Sequence, residues 1–158
     1  MNTKAPLRES KITDLHEMEE IINRAEVCHI AFVDGDKPYV LPFNFGYESK
    51  TIYIHSASVG KKTEIVKHNN NVCINFNIDH ELFFRTKEVA CSYGMRFKSV
   101  VANGTIHLLA DYDRKVHAMH IIMKKHSLGE FTFNAPAINN INVYKIIITN
   151  ISGKKYGY

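Results

Sequence analysis

The sequence predicts a mainly β domain in which about six antiparallel strands form a closed or partly closed barrel with helices packed outside. Apolar and polar residues alternate over several stretches, most clearly over residues 72–78. The pair Asp34-Gly35 joins two such stretches, as in a tight β-hairpin. The segments with helical periodicity are few and do not alternate with the strands. Neither a G-x-G-x-x-G nor a Walker motif is present. A parallel α/β sheet is therefore disfavoured.

Local signals place the individual elements along the chain. Apolar residues at helical spacing follow Thr13 and Asp14, either of which can cap the first helix. Pro42 indicates an edge strand or a bulge because proline cannot donate to the ladder, and Gly104 indicates a bulge or a close backbone approach. In order, the prediction gives a polar arm (1–11), a helix (14–26), strands 27–33, 38–47 and 52–56, a helix (61–68), a strand (72–78), a weakly patterned segment (79–97), a strand (97–110), a helix (111–126), a loop (127–142) and a strand (143–151).

The composition is that of one globular domain. Of its 158 residues, 45% are hydrophobic and 23% are charged, which suffices to bury a core. The net charge of +4 comes from lysines scattered among acidic residues, so we expect no nucleic-acid partner. The three cysteines form no C-x-x-C pair, which disfavours a zinc site or a disulfide framework. No apolar leader or membrane-length run is present, and we expect a cytoplasmic protein without a membrane partner.

Residues 38–62 carry the strongest functional signal. The segment holds two predicted strands, and the second ends in His55 and Ser56. Gly60-Lys61-Lys62 then opens a helix. The unpaired amides of a helix start and the helix dipole favour an anion at this place. Lysines at a helix N-terminus oppose the dipole unless an anion joins them. The segment therefore predicts a site for a phosphate-bearing ligand.

Four stretches, in this order, give the chain a family likeness: Val27–Asp34; Pro38–Ala57 with Gly60–Lys62; Asn71–Cys73 with Asp79–Leu82; and Cys91–Tyr93 through Phe97–Gly104. The chain resembles the pyridoxamine 5′-phosphate oxidase-like, FMN-binding split-barrel superfamily, and most of all its nitroimidazole-resistance (Nim) type. The resemblance implies a six-stranded antiparallel split β-barrel with two or three flanking helices, in which residues 12–158 form a single FMN-binding domain. It also implies a homodimer with FMN in the groove between the subunits.

The resemblance implies roles for particular residues. Lys61 stands where many relatives have arginine, and lysine grips phosphate as a point charge rather than as a bidentate fork. The strand from Val40 to Phe45 would lie along the isoalloxazine ring, largely through its backbone. The full set of implied cofactor-binding residues is Val40, Leu41, Pro42, Phe43, Asn44 and Phe45 at the ring, His55, Ser56 and Ala57 towards the ribityl–phosphate end, Lys61 and Lys62 at the phosphate, and Ser99 as a polar contact from the second subunit.

His55 is the predicted catalytic residue. Its side chain either closes a strand end or borders flavin and substrate, where an imidazole could donate a hydrogen bond or a proton near neutral pH. Nim-type relatives carry a histidine near the flavin, and His55 is the positional match. Other candidates are weaker, and no metal site is predicted: His29 on the barrel surface or at a pocket rim, His80 in a loop or near the partner subunit, His117 and His120 without a third metal ligand, Cys91 and Ser92 without a base, and Tyr93, Arg96 and Phe97 closing over the flavin from the second subunit.

Three functions are compatible with these residues. The first is an FMN-dependent oxidoreductase that reduces a small organic acceptor, and the resemblance points to a nitroimidazole or another nitroaromatic compound. The second is a protein that stores or senses a flavin, or binds a haem-like ligand, without turnover. The third, pyridoxamine-phosphate oxidation, is disfavoured because residues 153–158 lack the arginine and histidine that such oxidases use on their substrate.

Overall fold

The computed structural model describes residues 8–158, which form one antiparallel sheet of eight strands with three substantial helices and a short fourth. In chain order the elements are β1 (Glu9–Ile12), α1 (Leu15–Arg24), β2 (Cys28–Asp34), β3 (Lys37–Phe43), β4 (Gly46–Glu48), β5 (Thr51–Ala57), α2 (Lys61–His68), β6 (Asn71–Phe84), a 3₁₀ turn (Ala90–Ser92), β7 (Tyr93–Leu108), α3 (Tyr112–His126), α4 (Ala135–Asn139) and β8 (Ile141–Tyr156). The strands pair in the order β3-β2-β6-β7-β8-β5-β4, and β1 also pairs with β8. The path stays open between β3 and β4, which confirms the predicted split barrel.

The strand count corrects the prediction of six. The predicted strand 38–47 is two strands, because the chain leaves one edge of the sheet after β3 and enters the other edge as β4. Gly46 permits this entry, since a Cβ there would lie 2.7 Å from the backbone nitrogen of Ile122 in α3. The other added strand, β1, lies in the predicted arm, whose residues 1–7 are outside the described part of the chain.

Helix ends follow the predicted local signals. Of the two candidate caps, Asp14 is the N-cap of α1, and its carboxylate accepts a hydrogen bond from the backbone nitrogen of His16 at 3.2 Å. Helix α2 has the predicted bounds. Helix α4 was predicted as loop, and it begins after the cap Asn134 within residues 127–142. None of the helices in residues 8–158 combines the length and the apolar character that spanning a bilayer requires.

Two apolar clusters position the sheet and its helices. The larger one fills the inside of the barrel and includes Met18 of α1 and Ile65 of α2, so these helices close the barrel interior. The smaller one lies between α3, α4 and the outer face of β8, where Val143 is fully buried. The buried strand residues of the inner cluster are Ile12, Cys28, Ile30, Phe32, Ile52, Ile54, Val72, Ile74, Phe76, Ile78, Val100, Ala102, Ile106, Tyr144 and Ile146.

Strands β6 and β7 form a hairpin that includes most of the weakly patterned segment 79–97. A bulge after Ile78 places Asp79 at φ 56°, and its carboxylate accepts a hydrogen bond from Arg24 and lies 3.3 Å from the ammonium of Lys98. The hydrogen bond from Arg24 lowers the pKa of Asp79. The predicted bulge at Gly104 is confirmed, since the pairing with β8 shifts there and a Cβ would collide with the carbonyl of Ile147.

Candidate functional site

Strand β3 is an edge strand, as Pro42 predicted. Within residues 8–158 it pairs only with β2, so backbone groups along its other edge have no strand partner. The side chains of Leu41 and Phe43 are half-buried against the inner cluster. Those of Val40, which is 54% exposed, and Pro42 point to the outside of the barrel. The predicted ring-binding strand therefore offers free backbone groups and an exposed outer face.

The link between β3 and β4 consists of Asn44 and Phe45. Phe45 is fully buried, and its ring lies 5.1 Å from that of Phe76, centroid to centroid. The ammonium of Lys125 in α3 lies 4.4 Å from the centroid of Phe45 and donates to the carbonyl of Ile22 at the end of α1 at 3.1 Å. The side chain of Phe45 thus anchors the link in the core, while Asn44 stays exposed.

Lys61 and Lys62 begin α2 and have different surroundings. The Nζ of Lys61 lies 3.0 Å from a carboxylate oxygen of Asp34 and 4.9 Å from the ring centroid of Tyr39. Both contacts reach across to the β2–β3 hairpin, and the side chain stays more than half exposed. Lys61 is therefore a paired surface lysine that ties the start of α2 to the strand predicted to bind the flavin ring.

Lys62 is buried with only 7% of its surface exposed. Its Nζ has no hydrogen-bond partner in the described part of the chain and lies 4.1 Å from the ring centroid of Tyr144. A desolvated cation–π contact contributes about 2 kcal/mol, whereas burying an unpaired ammonium costs several kcal/mol. The ring alone does not offset this cost. An anion beside Lys62 would, and the amides at the start of α2 favour the same charge.

A polar cluster surrounds the ring of Tyr144. Its hydroxyl accepts a hydrogen bond from the Nδ2 of Asn142 at 3.1 Å and lies 3.4 Å from the Oγ1 of Thr63 in α2. The same amide donates to the carbonyl of Ser58 at 3.2 Å. Burial raises the pKa of Tyr144, but the hydrogen bond with Thr63, the ammonium of Lys62 and the amide of Asn142 outweigh it, so the pKa lies below its ordinary value. The cluster thus joins β8, α2 and the loop that precedes α2.

His55 and Ser56 lie on opposite faces of β5. Ser56 pairs with Asn142 and shares its face, on the side of Tyr144 and Lys62, and Ala57 ends the strand in an exposed position. His55 pairs with Val143 and faces the outer cluster beside α3 and α4. Its ring is half-buried, and its Nδ1 is buried without a partner in residues 8–158. Burial lowers the pKa of His55, so the imidazole is neutral at pH 7.

Ser99 lies away from these residues, on β7. Val100 points into the core, so Ser99 faces outwards, and it is buried between Asn77 of β6 and Lys154 of β8. Within residues 8–158, no hydrogen bond or ion pair joins Ser99 to another predicted site residue. It shares the outer side of the barrel with Val40, but one chain does not bring the two together.

The weaker candidates occupy ordinary positions. His117 lies 3.6 Å from Glu48, the ring of His120 packs edge-on against Phe133, and no group of three potential metal ligands occurs in residues 8–158. His29 and His80 are exposed, while Cys28 is fully buried, Cys73 is half-buried and Cys91 is exposed. Ser92 hydrogen-bonds the backbone of Thr86, and the ring of Tyr93 stacks on Phe84. The guanidinium of Arg96 lies 3.2 Å from Glu81, and Phe97 stacks on Tyr156.

Sequence reasoning missed Tyr144 and Asn142. The sequence predicts Asn142 as the last residue of a loop and Tyr144 as part of a final strand, whereas the structure places both at the start of β8. Their alternation with buried Val143 is visible in the sequence, and it places both on one face of the strand. The pairing of β8 with β5 and the approach of α2 are long-range features that no local pattern contains.

Comparisons with known proteins agree with this architecture. Residues 14–155 match the family model described as pyridoxamine 5′-phosphate oxidase. Among solved structures, a candidate 5-nitroimidazole antibiotic resistance protein from Bacteroides thetaiotaomicron is 36% identical, with 97% of this chain and 90% of that chain covered and a TM-score of 0.86. The flavocytochrome Anf3 from Azotobacter vinelandii is 20% identical, with 92% and 68% covered and a TM-score of 0.79. No curated protein sequence matches significantly.

A further solved structure extends the range of this fold. The FAD- and haem-binding protein from Mycobacterium smegmatis is 14% identical, with 92% of this chain and 72% of that chain covered and a TM-score of 0.79. At such identity, as for the flavocytochrome, the comparison shows the shared fold alone. The family match over nearly the whole chain and the bacteroidal relative carry the assignment. The chain belongs to the pyridoxamine 5′-phosphate oxidase family.

Proposed function

We propose that this protein binds FMN and uses it to reduce a small organic acceptor of the nitroimidazole or nitroaromatic class. The single observation that carries the proposal is the buried, unpartnered ammonium of Lys62 at the start of α2. A phosphate there would accept from the ammonium and from the first amides of the helix, and so offset the cost of burying the charge. The family membership and the flavin-binding neighbours support the choice of a flavin phosphate.

The other predicted residues fit a flavin around this phosphate. Ser56 and Ala57 end β5, and Ser56 shares the face of Tyr144, along which the ribityl chain would run. The free edge of β3, from Val40 to Phe43, offers backbone donors and acceptors to a heterocyclic ring, while buried Phe45 holds the end of that strand in place. The flavin, when bound, would supply the electron and hydride chemistry that no side chain provides.

His55 is the proposed catalytic residue. Burial lowers its pKa, so it serves near pH 7 as a neutral imidazole that accepts or donates a hydrogen bond rather than as a cation. Its buried Nδ1, which has no partner in residues 8–158, is the atom at which a proton would be held. The half-exposed ring gives a small acceptor a route to it, provided that the acceptor enters on the side of α3 and α4.

We further propose that two copies of the chain complete the site. Along β7, Met95 shares the outward face with Ser99, and its partner Leu82 on β6 is 61% exposed. Phe84 and Tyr93 continue the same face of the hairpin. A second copy would cover these apolar side chains and bring its Ser99 to the outer side of β3, where Val40 is exposed.

The nitroimidazole class is inferred from the bacteroidal relative, a candidate 5-nitroimidazole antibiotic resistance protein. Reduction of a nitro group to the amine takes up six electrons and six protons and releases two water molecules, so a nicotinamide cofactor would have to deliver hydride three times. The site contributes orientation and a proton-holding group, and the electrons come from the nicotinamide through the flavin.

Reconstitution tests the proposal in two steps. Apoprotein mixed with FMN and freed of excess ligand should retain absorption near 370 and 450 nm, which are approximate values typical of an oxidised flavin. Anaerobic addition of NADH or NADPH should bleach these bands, and a 5-nitroimidazole should restore them with formation of the amine. Protein that retains no flavin contradicts the whole proposal. Retained flavin that neither donor reduces, or that no nitroimidazole reoxidises, contradicts the catalytic part and favours storage.

A further inference from the structure

We propose that Tyr144 is a positioning residue: its ring holds the Lys62 ammonium in place for a phosphate group and so makes the site prefer FMN to riboflavin. The inference deepens the proposed function and rests on it for the identity of the ligand. Nothing in the sequence pattern of β8 marks Tyr144 as more than a core residue.

The first step is the placement of the ammonium. Lys62 begins a helix whose dipole repels a cation, and its flexible four-carbon stem could carry the charge out to water. The ammonium instead stays buried, 4.1 Å from the ring centroid of Tyr144. The aromatic face attracts a cation without supplying a carboxylate that would compete with an incoming anion. Lys62 is thus held while its charge remains available.

The neighbouring lysine shows the alternative arrangement. Lys61 also lies over a tyrosine ring, that of Tyr39, but at 4.9 Å and with a carboxylate oxygen of Asp34 only 3.0 Å from its Nζ. A phosphate that binds Lys61 must compete with this carboxylate. A phosphate that binds Lys62 meets no such competitor among the contacts within residues 8–158. The two lysines therefore contribute unequally.

The second step is the orientation of the ring. Tyr144 is 1% exposed, and its hydroxyl accepts from Asn142 at 3.1 Å and meets Thr63 at 3.4 Å. Because Asn142 also donates to the carbonyl of Ser58, one amide ties the ring to the loop that leads into α2. The ring is consequently fixed relative to the start of the helix that would bind the phosphate.

The test compares FMN with riboflavin, which differ only in the phosphate. Fluorescence titration should give the wild-type protein a dissociation constant for FMN at least tenfold below that for riboflavin. Expressed as the dissociation constant for riboflavin divided by that for FMN, the ratio should fall about threefold in Tyr144→Phe, which keeps the ring but loses the hydroxyl contacts with Asn142 and Thr63. Tyr144→Leu should lower it about tenfold and leave riboflavin binding nearly unchanged. Tyr53→Leu, one strand away on the opposite face of the sheet, is the matched control and should keep the ratio.

A second probe separates this inference from the proposed function. Inorganic phosphate, compared with chloride at equal ionic strength, should raise the melting temperature of the wild-type apoprotein and of Tyr144→Phe, but not that of Tyr144→Leu. If phosphate stabilises the proteins in this pattern but none of them binds a flavin, the role of Tyr144 is supported and the flavin proposal is contradicted. Tyr144→Leu with an unchanged flavin ratio or an unchanged phosphate response overturns the inference, as does a wild-type protein that responds to neither phosphate-bearing probe.

The leucine variant removes a fully buried ring and could fail to fold. Asn142→Ala is the second variant, because Asn142 lies only half-buried at the start of β8. It frees the Tyr144 hydroxyl and the carbonyl of Ser58 from the shared amide. The dissociation constant for riboflavin divided by that for FMN should therefore fall about threefold. A folded Asn142→Ala protein with the wild-type ratio contradicts the inference as well.

Discussion

Replacing Lys62 by methionine separates its binding role from its structural role. Methionine keeps most of the aliphatic length of the side chain and removes only the charge. The matched variant is Lys61→Met, which makes the same change one residue earlier on the same helix. Lys62 is 7% exposed and unpartnered in residues 8–158, whereas Lys61 is exposed and paired with Asp34.

The structure gives different magnitudes for the two lysines. A hydrogen bond from a charged group is worth about 1.5–3 kcal/mol, so loss of Lys62 should weaken FMN binding about 10- to 150-fold. Lys61 first has to give up an exposed ion pair with Asp34 that is itself worth at most about 1 kcal/mol. Its side chain is also screened by solvent, so Lys61→Met should weaken FMN binding less than about fivefold.

The stability of the apoprotein should respond in the opposite sense. The Lys62 ammonium has no hydrogen-bond partner within residues 8–158 and lies over the ring of Tyr144, and this contact of about 2 kcal/mol does not offset a desolvation cost of several kcal/mol. Lys62→Met should therefore leave the free energy of unfolding of the apoprotein unchanged or raise it. A site residue that weakens the fold and strengthens ligand binding is the expected signature of a buried charge kept for a ligand.

Two measurements decide the matter. Fluorescence titration gives the dissociation constants for FMN and riboflavin, and urea denaturation gives the free energy of unfolding of each apoprotein. The reasoning is refuted if Lys62→Met binds FMN as tightly as the wild-type protein does, or if it weakens FMN and riboflavin equally. It is also refuted if Lys61→Met has the larger effect, because the ion pair with Asp34 would then not matter.

Three further perturbations address the fold and the predicted catalytic histidine. Gly46→Ala places a Cβ 2.7 Å from the backbone nitrogen of Ile122, so α3 must shift and urea denaturation should show a loss of about 1–3 kcal/mol. Burial raises the pKa of the Cys28 thiol to about 12, so a maleimide at pH 8 should label exposed Cys91 and leave Cys28 unmodified. Burial lowers the pKa of His55 below its ordinary 6.5. As the pH drops below 6.5, the unfolded chain therefore binds more protons at this histidine than the folded protein does, and the stability of the fold decreases. His55→Gln should make the melting temperature fall less steeply over this pH range.

The glycine substitution, the cysteine labelling and the histidine substitution each have their own control. Gly129→Ala meets no atom closer than 3.5 Å and should change the free energy of unfolding by less than about 0.5 kcal/mol. Denaturation before labelling should expose Cys28 to the maleimide, and labelling of Cys28 in the folded protein would contradict its burial. An unchanged slope of melting temperature against pH in His55→Gln would show that His55 does not titrate differently in the two states.

Short-range chemistry explains what could be predicted from the sequence. The Asp34-Gly35 turn, the cap at Asp14 and the bounds of α2 depend on neighbouring residues, and all three are found. Proline at position 42 excludes the middle of a sheet, and β3 is indeed at an edge. These features need no knowledge of which strands meet.

The site depends on pairings that local patterns do not contain. The six-strand prediction failed at residues 44 and 45 because a strand that changes edges looks, in sequence, like one continuous strand. The sequence predicts both lysines at the phosphate, yet of the two only Lys62 is buried, because β8 pairs with β5 and brings Tyr144 under the start of α2.

The same long-range pairing explains why the start of α2, where the phosphate is proposed to bind, is distinct from β3, the strand predicted to bind the flavin ring. Lys62 is held by α2 and β8, whereas Val40 lies on β3, which is separated from β8 in the strand order by β2, β6 and β7. The contacts of Lys61 with Asp34 and Tyr39 join the two regions directly. We therefore infer that Lys61 matters for the distance between phosphate and ring rather than for charge. Its replacement by methionine should disturb FMN and riboflavin binding alike, while replacement of Lys62 should disturb FMN binding alone.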